Sequence, residues 1–176
     1  MRAVVRIAIS GTPGTGKAST CKALSDRGYF TLDLNAEAER LGHLGPPDAD
    51  GVRRVDVEAL ARDLSTPAKV IFMHAHFAHL LPSNVVIVLR CDPRVLKKRL
   101  EARRWRTKKI QENADAEAID VITQEAVEGG SPVFEIDTSS STPSQAADAV
   151  LAILEGKTNG HEPGFVDWSD EVLSWY

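Results

Sequence analysis

Sulfur is scarce in this chain, and long apolar runs are missing. Only Cys21 and Cys91 are present among 176 residues, which excludes a disulfide framework and fits a reducing compartment. The longest apolar stretches, near Val4 and Val85, have the length of strands, whereas a membrane span needs about 20 apolar residues. Neither a membrane partner nor a secretory signal is expected, and the cytoplasm is the expected location. No internal repeat is evident. With 43% hydrophobic residues, the chain is large enough to bury one core and small for two.

Positive charge is also thin over most of the sequence. The net charge of −4 conceals a segment, residues 90–109, with ten Lys or Arg against only Asp92 and Glu101. A basic strip on an acidic protein points to a local polyanion site such as nucleotide phosphates. A solvated helix face would leave the same trace. General nucleic-acid coating and sequence-specific nucleic-acid reading are not expected.

What is present is a glycine loop. Residues Gly11 to Ser19 read G-T-P-G-T-G-K-A-S, between the apolar run Val4–Ile9 and a helix-forming stretch that starts near Lys17. Gly11, Gly14 and Gly16 let backbone N–H groups turn inward around phosphate oxygens, where side chains would block approach. Lys17 adds a positive charge for the β- and γ-phosphates, and the helix N-terminus adds its dipole. Against the pattern G-x-x-x-x-G-K-[ST], Ala18 stands where the hydroxyl is usual and Ser19 follows one place later. A plain glycine-rich turn is the bland alternative, and the strand–loop–helix context argues against it.

Further apolar runs at Tyr29–Leu34, Val70–Met73, Val85–Leu89 and Val133–Ile136 read as strands buried on both faces. Helices are predicted over Lys17–Arg27, Val57–Leu64, Pro93–Arg103, Lys108–Val127 and Pro143–Glu155. Within Pro93–Arg103, Leu96 and Leu100 form one stripe, with Arg99 and Arg103 beside it. Ser139–Pro143 offers capping hydroxyls at a helix entry. The stretch Gly42–Gly51 reads as a loop. Alternating strands and helices predict a three-layer α/β/α P-loop NTPase fold with a parallel sheet of about five strands. Ligands of such sheets sit at the C-terminal strand ends, where Gly11–Lys17, Asp33, His74–His76 and Arg90–Asp92 all fall. The expected organisation is a domain over residues 1–156 and a tail over 157–176. The apolar tail residues Phe165, Val166, Trp168, Leu173, Trp175 and Tyr176 predict docking on the domain itself or on a partner.

Phosphoryl transfer needs positive charge that follows the γ-phosphoryl group, and Arg90, Arg99, Arg103, Lys108 and Lys109 are the candidates. Arg103, just before Trp105 where a mobile lid would begin, is the first choice. Solvated arginines with Trp105 as a core plug are the alternative. His74 and His76 share one side of their strand. They meet phosphate or water, act as hydrogen-bonded supporting groups, or join His79 at a transition metal. The region from about Asp33 to Glu58 is the natural acceptor flap.

Together these residues resemble the adenylate kinase isoenzyme 6 family, small P-loop kinases linked to ribosome maturation, in its archaeal type. The resemblance rests on G-T-P-G-T-G-K; on His76-Phe77-Ala78-His79-Leu80-Leu81; on Leu89-Arg90-Cys91-Asp92-Pro93 with the helix after it; and on Arg103-Arg104-Trp105 followed by Lys108-Lys109-Ile110 and Glu112-Asn113. The ending Pro163-Gly164-Phe165-Val166-Asp167-Trp168 is also similar to archaeal tails. The resemblance implies transfer of a phosphoryl group from ATP to AMP or another nucleoside monophosphate, with Mg²⁺, a slow ATPase and a small-subunit ribosomal protein as partner. By position, Gly11, Gly14, Thr15, Gly16, Lys17, Ala18, Ser19, Arg103 and Lys109 would hold ATP, and Ser19 would touch Mg²⁺. Lys17, His74, His76 and Arg103 would act in catalysis. The lid would cover about 103–113. The AMP flap would cover about 33–57, with Asp33, Arg40, Arg53 and Arg54 as its candidate contacts. Two places depart from the family: His74 where an acid is usual, and Glu37 where a basic residue is usual. They leave open an ATP-gated assembly factor with little AMP turnover, or a kinase of another small acceptor.

Overall fold

The computed structural model describes residues 4–49 and 51–175, so Tyr176 of the expected apolar tail lies outside the described residues. Five parallel strands form the central sheet: β1 (Val5–Ser10), β2 (Thr31–Asp33), β5 (Val70–His74), β6 (Val85–Arg90) and β7 (Val133–Asp137), in the spatial order β2-β5-β1-β6-β7. The period of two in each strand divides their side chains between two cores. Ala8, Ile71, Met73, Val86 and Val88 face one core with helices α2 (Leu34–Leu41), α3 (Val57–Asp63) and α6 (Val121–Glu128). Ile7, Ile9, Phe72, Ile87 and Leu89 face the other with α1 (Lys17–Asp26) and α7 (Pro143–Leu154). The α/β/α P-loop NTPase fold is therefore present with its five-stranded sheet.

Three local features differ from the sequence expectation. The stretch Gly42–Gly51, read as a loop, holds β3 (Leu44–Pro47), which pairs in an antiparallel hairpin with β4 (Arg53–Val55) just beyond it. Its turn chemistry hid two short strands whose pairing partner is each other. The helix expected over Lys108–Val127 is two, α5 (Thr107–Ala118) and α6. Asp120 breaks it with a left-handed φ of 59°, a conformation that Asp tolerates better than most residues. Helix α2 was not expected; it starts where the Asp33 carboxylate accepts the N–H groups of Asn35 and Ala36, a standard N-cap.

Helix α4 (Pro93–Ala102) begins with Asp92 as cap and Pro93 in the first turn, where a missing N–H costs nothing. It packs Leu96 and Leu100 with Ile110 of α5 in a third, smaller apolar cluster. In the tail, the backbone of Glu135 donates to the His161 carbonyl at 2.7 Å, and the Glu135 carboxylate accepts the N–H groups of Gly164 and Val166. Val166 is buried there, while Phe165, Leu173 and Trp175 stay exposed, and Ser169–Leu173 forms the short helix α8.

Candidate active site

The glycine loop leaves β1 and re-enters the fold as α1. Gly11 is required sterically: at φ 141°, a Cβ would stand 2.4 Å from the Leu89 carbonyl oxygen. Gly14, at φ 95°, has its missing Cβ directed at Leu96 and Leu100, 2.8 and 3.0 Å away. The leucine stripe of α4 thus supports the loop from behind, and any larger residue at 14 would displace it. The arginine stripe beside it comes to the loop's open side.

Lys17 donates to the carbonyl oxygens of Gly11 at 2.7 Å and Thr12 at 3.0 Å. An ammonium carries three donors, so a third remains for a phosphate oxygen. Burial lowers its pKa to about 8, against the pull of Glu117 and with help from Arg103.

Two clefts open on the loop. One is lined by Gly14, Thr15, Gly16, Ser19 and Thr20 with Arg99, Arg103 and the stretch Thr138, Ser141, Thr142, Pro143 and Ala146. The other is lined by Pro13, Gly14, Gly16, Lys17, Ala18 and Ser19 with Asp33, Asn35, His74, Ala75, His76 and Arg103. They share Gly14, Gly16, Ser19 and Arg103. A group bridging the clefts passes between the loop amides and the Arg103 side chain.

Several expected residues sit in this arrangement and several do not. Gly14, Thr15, Gly16, Lys17, Ala18, Ser19, Asp33, His74, His76 and Arg103 line the clefts. Lys109 is an exposed residue of α5 paired with Glu112 at 3.2 Å. Arg40 is held in a two-point grip by Glu37, at 2.9 and 2.6 Å. Arg53 donates to the Gly45 and Leu44 carbonyls of its own hairpin, and Arg54 is exposed on β4. The expectation that Arg90 reaches phosphate needs correcting. Arg90 is 1% exposed and binds Glu117, Glu135 and Asp120. Burial works against its charge, yet the carboxylates hold its pKa above the ordinary value. Arg99 is likewise engaged, chiefly with the Thr138 carbonyl at 2.6 Å, and so fixes the rim of the first cleft.

His74 ends β5 opposite Asp33 in the parallel register. Burial lowers its pKa, Asp33 raises it and Lys17 lowers it. His76, also lowered by burial and then Lys17, is exposed at the cleft with its ring edge-on to Phe77. His79 turns away from both: its Nδ1 meets the Ser10 hydroxyl at 2.8 Å and its Nε2 meets Glu125 at 3.0 Å. That removes it from the three-imidazole alternative, and among the described residues no group of three or more His, Cys, Asp or Glu is placed to hold a metal ion. A transition-metal centre does not fit. Mg²⁺ does fit, because it is commonly held by substrate phosphates and water with one or two protein oxygens, and the second cleft offers Asp33 and Ser19.

The Thr138–Pro143 rim was not foreseen as part of the site. Its sequence signal was the run of hydroxyls that also caps α7, where Thr142 and Gln145 form a capping box. Both thiols stay protonated near neutral pH, since burial pushes Cys21 up to about 12 and Cys91 up to about 11.

The family model described as "AAA domain" matches residues 7–120, the stretch that carries the loop, the second cleft and α5, while the Thr138–Pro143 rim of the first cleft lies beyond it. The chain belongs to this P-loop family. Two near-full-length relatives are archaeal: a protein of Archaeoglobus fulgidus named "Putative adenylate kinase" is 41% identical over 169 residues, covering 94% of this chain and 93% of that protein. Another of that name, from Thermococcus onnurineus, is 38% identical over 168 residues, covering 94% and 92%. Among solved structures, a shikimate kinase from Acinetobacter baumannii in complex with shikimate superposes with a TM-score of 0.64, over 90% of this chain and 97% of that one. At 15% identity, that likeness carries the fold alone. Family membership accounts for the shared loop and sheet, and the cleft residues of this chain must account for its chemistry.

Proposed function

We propose that this protein is an ATP-dependent phosphotransferase of adenylate kinase type, related to the isoenzyme 6 group, that moves the γ-phosphoryl group of ATP to AMP. The observation that carries the reading is the meeting of the two clefts at Gly14, Gly16, Ser19 and Arg103. The hydroxyl-rimmed cleft suits the nucleoside end of ATP, and the cleft with Asp33, His74 and His76 suits the acceptor. The names of the archaeal relatives support the same chemistry.

In this reading the loop N–H groups and the third Lys17 donor bind the β- and γ-phosphates. Arg103 stays with the phosphoryl group as it crosses, since its guanidinium lines both sides. Such positioning and charge stabilisation make up nearly all of what a protein contributes to phosphoryl transfer. Asp33 and Ser19 would hold Mg²⁺, which supplies neutralisation of the charge on the β- and γ-oxygens. His74, kept below its ordinary pKa by burial, is neutral near pH 7 and leaves the cleft's charge to Asp33 and Lys17.

The Glu37–Arg40 grip favours a second reading. It neutralises a flap cation that an acceptor phosphate would use, as expected for an ATP-gated assembly factor that acts in maturation of the small ribosomal subunit with slow ATP hydrolysis. Measuring ADP formation from ATP with AMP, with other monophosphates and with water alone separates the two. The kinase reading expects a rate that rises and saturates with AMP. A rate of ATP hydrolysis indifferent to every monophosphate would sink it in favour of the second.

A further inference from the structure

Glu117 lies outside every group assigned so far to the nucleotide. It closes the last turn of α5, whose first turn carries Lys108 and Lys109. It is 3% exposed, and three groups donate to its carboxylate: the Thr12 hydroxyl to Oε2 at 2.6 Å, Arg90 Nε to Oε1 at 2.8 Å and the Cys91 N–H to Oε1 at 3.1 Å. Burial pushes the Glu117 carboxyl pKa up, and the Arg90 guanidinium, the Thr12 hydroxyl and the Cys91 N–H work against that rise by favouring the ionised form.

Thr12 is the second residue of the phosphate loop, and it is gripped from both ends. Its side chain is held by Glu117. Its carbonyl accepts Lys17 Nζ at 3.0 Å, the Thr15 hydroxyl at 2.9 Å and the Thr15 N–H at 3.2 Å. The other oxygen of the same carboxylate is fixed as well, because Arg90 Nε and the Cys91 N–H hold Oε1 at the end of β6. Glu117 thereby ties the phosphate loop to the strand end beside it as well as to α5.

We propose that Glu117 is a positioning residue of the nucleotide site, fixing the phosphate loop to the lid helix through the Thr12 hydroxyl. Because α5 is one rigid rod of 12 residues, a shift of its lid end is felt at Thr12. Lid and loop then respond to nucleotide together.

The inference rests on the nucleotide-binding reading, and its test keeps the two apart. Binding of a non-hydrolysable ATP analogue to the full chain is followed by calorimetry at neutral pH. Thr12→Val removes the hydroxyl, and affinity is expected to fall roughly tenfold. Thr12→Ser keeps the hydroxyl and is expected to bind as the wild type does. Glu117→Asp keeps the carboxylate but draws it back from Thr12, so it must match Thr12→Val, and the double variant must fall no further than either single one. A passive structural part would make the two losses add. Unchanged affinity in Thr12→Val, a Thr12→Ser as weak as Thr12→Val, or wild-type affinity in Glu117→Asp overturns the proposal. If circular dichroism finds Glu117→Asp unfolded, the Thr12→Val and Thr12→Ser pair decides it alone. A wild-type chain that fails to bind the analogue overturns the nucleotide reading itself.

Discussion

At the scale of single residues, the burial of Lys17 ties nucleotide binding to pH. Burial brings its pKa from 10.5 to about 8. The fold therefore disfavours the ammonium, and the unfolded chain binds more protons between those values. Stability rises with pH across that window, while affinity for a phosphate ligand, which needs the ammonium, declines as pH passes about 8. Titration calorimetry at several pH values reads this directly; an affinity flat through pH 8 would show that Lys17 does not contact the ligand. Arg104 offers a separate test. It follows α4 in a left-handed conformation, φ 58°, with its N–H bonded to the Glu101 carbonyl, a place that favours glycine. Arg104→Gly is expected to stabilise the fold by about 1 kcal/mol, a rise in Tm of about 2–4 °C in thermal unfolding. What was legible at this scale was local. Gly11, Gly14 and Lys17 act within one short segment, so their spacing announced them. Arg90 misled because its partners lie 27, 30 and 45 residues away, and no local pattern connects a basic strip to carboxylates that far along the chain.

At the scale of elements, Glu135 joins β7 to α6, to Arg90 of β6 and to the tail. Its carboxylate takes the Arg90 Nη1, the Thr123 hydroxyl at 2.7 Å and the N–H groups of Gly164 and Val166, and it is fully buried. Removing one member of a buried charge cluster strands the others, at a cost of about 3–5 kcal/mol. Glu135→Ala is expected to lose that much in urea unfolding, and the amides of Gly164 and Val166 should lose protection in hydrogen exchange. A loss under about 1 kcal/mol would mean that the tail is held by its own packing. Four of the parallel strands were readable because strands largely buried on both faces are continuous apolar runs; β2, half-buried at the sheet edge, left only the shorter run Tyr29–Leu34. The hairpin β3–β4 was not, since Gly45, Pro46 and Pro47 are loop-forming residues and the pairing is short. The split between α5 and α6 escaped because helical spacing continues across Asp120; the break is set by φ at that residue and by its contact with Arg90.

At the scale of the whole molecule, the sheet order places five strand ends on one rim, and the candidate site gathers there: the loop after β1, Asp33 at the end of β2, His74 at the end of β5, Asp92 after β6 and Thr138 after β7. The general position of the site followed from strand alternation alone. Its division into two clefts that share Arg103 depends on how α4 and the Thr138–Pro143 rim pack across the loop, which only the folded chain reveals. The central claim is that a phosphoryl group crosses from one cleft to the other past Arg103. Its most direct test supplies ATP labelled at the γ-phosphorus together with unlabelled AMP, and asks where the label goes. The account predicts label in the β-phosphate of newly formed ADP, abolished by Lys17→Ala and strongly reduced by Arg103→Ala. Label found solely in inorganic phosphate, at a rate that AMP does not change, would contradict it.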